Sequence, residues 1–155
     1  MSVEGILLHV LALGWGALCG AMIYEHLAVI PAWAASPPAS LTMWRGPYRL
    51  RAERFWMLIH PTLLVLLGTS LALTWSTPST RDLLLVAAGG YALIIATTAI
   101  YYVPELMRLT RDPESTALTA DDWRRRARRW EVLSLIRGVA VLGVAWPILR
   151  TLSSG

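Results

Sequence analysis

The chain has 155 residues, 55% hydrophobic and only 15% charged, with a mean hydropathy of +0.51. That is too apolar for an ordinary soluble domain and fits one small membrane-embedded unit. Its formal net charge is +4, every basic residue is an arginine, and the arginines cluster where span-flanking loops are expected, which argues for bilayer topology and against nucleic acid.

The first apolar run extends from Gly5 to Ile30, longer than the roughly 20 residues a span needs. The preceding Met1-Ser2-Val3-Glu4 carries no positive charge. The run also exceeds the apolar stretch of a signal peptide, about 7–15 residues. Although Ala32-Trp33-Ala34 has the form of a cleavage site, the segment reads as a retained transmembrane helix. Ala12, Gly16 and Gly20 form a small-residue stripe along which a neighbouring helix could approach closely. Cys19 lies in the same run as a packed small side chain, and as the single cysteine it excludes an intrachain disulfide. Near the far end stand Tyr24, Glu25 and His26, and Pro31 with the Pro37-Pro38 pair is expected to end the helix. Ionisable groups at membrane depth are costly and usually face the protein interior, so they are candidates for function.

Residues 31–53 form a long connection, proline-rich and then basic, in which Trp33, Trp44 and Tyr48 suit an interfacial aromatic belt. Their aromatic and arginine content predicts an ordered segment against the membrane face. A second span is predicted over 55–75, with His60 about 7.5 Å inside it at about 1.5 Å per residue. Pro61 follows and removes a helical hydrogen bond there. A third span is predicted over 82–103 and leads into Tyr101, Tyr102, Pro104 and Glu105. After the polar Arg111-Asp112-Pro113-Glu114, the acids Asp121 and Asp122 open a new helix, as the helix dipole favours. The basic stretch Arg124–Arg129 then forms a headgroup-binding collar, and the fourth span follows over 130–149 with Arg137 two turns inside.

The predicted fold is therefore all-α: one domain over residues 1–155, an integral membrane four-helix bundle. Four spans place both termini on one side. The loops after the first and third spans, with Arg45, Arg49, Arg51, Arg54, Arg108, Arg111 and the Arg124–Arg129 cluster, lie on the other. Only Arg81 and Arg150 mark the terminal side. The bias predicts cytoplasmic loops and external termini in a multi-pass protein of a bacterial cytoplasmic membrane.

On that map Glu25, His26, His60, Tyr101, Tyr102, Glu105, Glu131, Ser134 and Arg137 fall toward one end of the four helices, and only His9 stands apart. Arg137 is either half of an interhelical salt bridge, with Glu25 the first partner and Glu105 the second, or an anchor for a substrate anion. His26 and His60 could act in acid–base chemistry, for which the near-neutral pKa of histidine suits them. With Glu25 they could instead ligate a transition metal, or serve a haem. The chain has no HExxH motif.

Two stretches carry a resemblance. Arg129-Trp130-Glu131-Val132-Leu133-Ser134-Leu135-Ile136-Arg137 resembles the R-W-x-x-x-N-x-x-R pattern in the last helix of anthrone-oxygenase-like membrane proteins. Tyr102-Val103-Pro104-Glu105-Leu106-Met107 resembles their V-P-x-N region. Ser134 stands where that pattern has Asn, and Glu105 stands near the other Asn. The resemblance implies four spans, oxidation of polycyclic anthrones to anthraquinones without a classical organic cofactor, and a pocket lined by Trp130, Ser134 and Arg137 with Glu105 beside it.

The leading expectation is a membrane oxidoreductase of the oxygenase type acting on a hydrophobic aromatic or quinone-like molecule. His26, His60, Glu25 and Arg137 would be catalytic, and Tyr24, Tyr101, Tyr102, Glu105, Trp130 and Ser134 would bind substrate. A metal- or haem-binding redox protein and a non-enzymatic assembly subunit are the alternatives. The lipid bilayer and a hydrophobic small molecule are the expected partners, and the glycine stripe allows a homo-oligomer.

Overall fold

The computed structural model describes residues 2–110 and 119–153. The predicted polar turn Arg111–Glu114 lies outside them. Among the described residues there is no strand, and four helices are long and apolar enough to cross a membrane: α1 (Val3–Ala34), α2 (Ala52–Leu73), α3 (Pro78–Thr110) and α4 (Ala120–Thr151). Local chemistry sets their starts. Ser2 accepts a hydrogen bond from the Gly5 amide at 3.2 Å, Pro78 opens α3, and Thr119 caps α4 by accepting from the Asp122 amide at 3.2 Å. The four helices form a ring in which each packs on its sequence neighbours and α1 closes against α4.

Neither Pro31 nor Pro104 stops its helix. In both places the chain makes one π-helical turn just before the proline, over Glu25–Val29 in α1 and Thr98–Tyr102 in α3. The Ile30 amide bonds to the Glu25 carbonyl and the Val103 amide to the Thr98 carbonyl, five residues back instead of four. Proline has no amide hydrogen, and its ring crowds the carbonyl four residues earlier. Widening the preceding turn relieves that clash and lets the helix continue. The first helix thus continues past the expected end at Ile30 to Ala34, and the third runs on to Thr110.

This continuation has a large consequence. At about 1.5 Å per residue, 32-residue helices such as α1 and α4 reach about 48 Å, against about 30 Å of bilayer hydrocarbon. With the bilayer set on the main core, the surplus of α1, α3 and α4 forms an overhang at the end that carries the two longer connections. It builds a second core from Val29, Ile30, Trp33, Leu41, Tyr102, Leu109, Trp123, Ala127 and Trp130. The main core, between the spans, is made by Leu11, Trp15, Leu18, Met22, Leu63, Leu67, Leu84, Tyr91, Ile94, Val141 and their neighbours.

Two sequence expectations change here. Trp33 is no belt residue: only 1% exposed, it packs edge-to-face on Trp123 and Trp130, while Tyr48 is fully in the open. The short 3-10 helix Ala39–Trp44 sends Leu41 into the same core, so the long connection is ordered as expected, but by burial of its own apolar side chains. Of the Ala12/Gly16/Gly20 stripe only Ala12 packs on the main core within the chain. Gly16 and Gly20 face outward with open space around them. The close approaches fall elsewhere: a Cβ on Gly90 would stand 2.8 Å from Val144 Cγ2, and one on Gly138 3.0 Å from Met22 Sδ.

Candidate active site between the two cores

The two cores are separated by a polar layer, and both π-helical turns lie at its level. On α1 the main core ends at Met22 and the second begins at Val29, with Glu25 and His26 between. On α3 the gap falls between Ile94 and Tyr102 and contains Thr98. On α4 it lies between Trp130 and Val141 and contains Ser134 and Arg137.

Arg137 is the hub of this layer. Its guanidinium donates to Thr98 Oγ1 at 3.1 Å and to Ser134 Oγ at 3.2 Å, and its Cζ lies 4.4 Å from the centre of the Tyr102 ring. Both hydrogen-bond partners are neutral hydroxyls. The expected ion pair with Glu25 or Glu105 does not form: among the described residues no carboxylate lies within 4.0 Å of Arg137. Glu25 and His60 nevertheless feel the charge of Arg137, so α1, α2, α3 and α4 all contribute to its surroundings. The aromatic face adds the attraction of a cation for a ring quadrupole.

His60 is held from a second direction. Its Nδ1 lies 2.7 Å from the hydroxyl of Tyr91, its ring stacks on Trp56, and Tyr91 itself is completely buried against the edge of Trp15. Trp15 Nε1 donates to the Val141 carbonyl at 3.0 Å, which ties α1 to α4 at the same depth. These contacts fix the imidazole in a sequence that otherwise reads as plain apolar helix.

The other predicted residues distribute differently. His26 bonds through Nδ1 to the Met22 carbonyl at 2.9 Å, and its Nε2 is buried with no hydrogen-bond partner among the described residues. Glu105 is buried in the second core's rim, where Arg126 grips it through two contacts of 2.7 Å and Arg108 stands at 3.8 Å. Trp130 is 2% exposed and donates to the Tyr102 carbonyl at 3.0 Å, as a core residue of the overhang. Tyr101 packs edge-on against Tyr102, and Tyr24 is mostly exposed on the outer surface of α1. Among the described residues no three His, Cys, Asp or Glu side chains come together as a metal site, so Glu25, His26 and His60 are not gathered into one. Sequence reasoning overlooked Tyr91 and Thr98. A phenol in the middle of a span, where its hydroxyl must find a partner, was a signal for the first; a threonine near a helix end gives none.

The two stretches that carried the sequence resemblance turn out to be one unit. Tyr102 Oη donates to the Leu133 carbonyl at 2.7 Å, Trp130 Nε1 donates back to the Tyr102 carbonyl, and Arg137 lies over the Tyr102 ring. Together they define an all-helical protein with four potential membrane spans and a cationic layer inside it. A family model described as anthrone oxygenase matches residues 44–146, more than half of the chain, and the chain belongs to that family. The matched stretch holds His60, Tyr91, Thr98, Tyr102, Ser134 and Arg137 and leaves out Glu25 and His26. No curated protein and no solved structure matches the chain.

Proposed function

We propose that the protein is a membrane oxidoreductase of the oxygenase type, which oxidises a hydrophobic, fused-ring aryl ketone with an acidic methylene to a quinone. The observation that carries this reading is the state of Arg137: a partly buried guanidinium, oriented by two neutral hydroxyls and an aromatic face, with no carboxylate neutralising it at contact distance. Such a cation is suited to an oxyanion. In a low-dielectric site its preorganised charge is worth far more than in water. A merely structural arginine at this depth would be expected in an ion pair or against backbone carbonyls.

In the proposed sequence, His60 takes a proton from the methylene, and the electron pair moves onto the ketone oxygen beside Arg137. The resulting enolate reduces dioxygen, forming a carbon–oxygen bond at the former methylene. Loss of one water then leaves the second carbonyl, so one oxygen atom ends in the product and the other in water. The base fits because Tyr91 holds the ring and leaves one nitrogen of His60 for the substrate. The arginine-rich end faces the cytoplasm, and the substrate arrives from lipid.

The test is turnover of an anthrone in detergent-purified protein, followed as quinone absorbance and oxygen uptake together. Arg137→Gln is expected to lower kcat about 10²–10³-fold, the usual cost of removing one oxyanion partner. His60→Ala should abolish the proton transfer. Unchanged turnover in either variant, with helical content preserved, would overturn the mechanism.

A further inference from the structure

His26 lines two grooves that Arg137 does not border. On α4, Leu135 and Arg137 are two residues apart and so project about 200° from one another. The two grooves adjoin and run on the Leu135 side, between α1 and α4. The first, about 560 Å³, is bordered by Arg124, Arg128, Glu131 and Trp123 at the overhang. The second, about 180 Å³, continues toward the main core over Met22, Gly138 and Leu142 and is almost wholly apolar. His26, Leu27 and Leu135 line both, so the grooves meet at the unpartnered Nε2 side of the imidazole.

The geometry points to a binding site for one anionic phospholipid, seated with its phosphate between Arg124 and Arg128 and one acyl chain along Leu135 and Leu142. Three features select this occupant. Polarity falls along the groove in the same order as in a lipid, from cationic mouth to imidazole to hydrocarbon. The mouth has two arginines against one carboxylate, Glu131, and Arg124 is only loosely engaged, 3.8 Å from Asp121. The apolar half opens on the outer side of the bundle, where Leu135 and Leu142 are exposed to the bilayer. His26 is at the junction, where a phosphate or glycerol ester oxygen would lie. Because the Met22 carbonyl can only accept, the neutral ring keeps its proton on Nδ1 and offers Nε2 as an acceptor; protonated, it offers a donor. This site is separate from the proposed reaction at Arg137.

The experiment uses the full chain in phosphatidylcholine nanodiscs titrated with a spin-labelled phosphatidylglycerol, reading the immobilised fraction. Arg124→Gln together with Arg128→Gln, both at solvent-facing positions, should weaken retention about thirty-fold, from about tenfold per 1.4 kcal/mol and about 1 kcal/mol per arginine at an anionic surface. Leu135→Trp, filling the groove from its exposed side, should weaken it without any change of charge. Arg125→Gln is the control: Arg125 pairs with Asp122 and does not border the groove. Equal loss in that control would mean a diffuse charge collar and would overturn the site. So would displacement by soluble glycerol phosphate, retention of spin-labelled phosphatidylcholine as strong as that of phosphatidylglycerol, or wild-type retention in the Leu135→Trp variant.

Discussion

The two cores are built by different means although the same helices supply both. Between the spans, the packing is aliphatic with Trp15 and Tyr91 at its centre, and glycines such as Gly90 and Gly138 let helices approach closely. In the overhang, tryptophans pack edge-to-face, Trp123 and Trp130 donate to carbonyls of α3 at 3.1 and 3.0 Å, and Glu105 is clasped by Arg126. The difference follows from the solvent. Helices in lipid gain little from burying apolar surface against one another and rely on fit. Helix ends near headgroups and water regain the hydrophobic effect and can support ion pairs at their rim. With the bilayer set on the main core, the polar layer falls at the change from one regime to the other, where a charge can be held without being fully surrounded by hydrocarbon.

That contrast can be broken most forcefully at Trp130. Trp130→Ala should cost about 3–5 kcal/mol, the range for deleting a buried tryptophan, and it should do so locally. Limited proteolysis is expected to cut the 35–51 connection sooner, while the helical circular dichroism signal of the spans persists. If the whole protein unfolded as one unit, the two cores would not be separable. In the main core the corresponding change is an addition: Gly90→Leu should cost about 1–3 kcal/mol through overpacking against Val144. Thermal unfolding in detergent measures it, and protease sensitivity of the connection should not change. Smaller again is Glu105→Gln. Breaking a buried ion pair can cost several kcal/mol, but the Arg126 side chain is 36% exposed and regains water. The expected loss is about 1–2 kcal/mol, seen as an increased protease susceptibility restricted to the overhang.

The sequence made the four spans legible because each is a long apolar run, and length with hydropathy suffices for that. It also made the polar level legible, since Glu25, His60, Ser134 and Arg137 interrupt those runs at matching depths. What it hid were the consequences of proline. Pro31 read as a stop because a proline normally breaks the ladder, and nothing local announces that one wide turn will carry the helix past it. Without that continuation there is no overhang, so Trp33 looked interfacial. The pairing of Glu105 was hidden for a second reason. Arg126 is one of five arginines within residues 124–129, and only the direction of its side chain separates it from its neighbours. The direction of His26 was equally illegible, because adjacent residues on one helix differ by about 100° and Glu25 and His26 therefore serve different faces.

The smallest expected effect tests the outer surface of the main core. Gly16 faces away from the bundle, and a Cβ there meets nothing within 4 Å. Gly16→Ala should therefore leave the fold intact and raise stability by up to about 1 kcal/mol through helix propensity alone. Gly90→Ala, in the same kind of helix, should go the other way, because its Cβ would press on Val144 at 2.8 Å. The pair isolates packing from propensity, and thermal unfolding of both variants at several protein concentrations reads it. A loss of stability in Gly16→Ala that grows with protein concentration would mean that the outward stripe is covered by a second copy of the chain. The aliphatic core would then extend across two molecules, while the overhang, with its own aromatic centre, would remain the property of one.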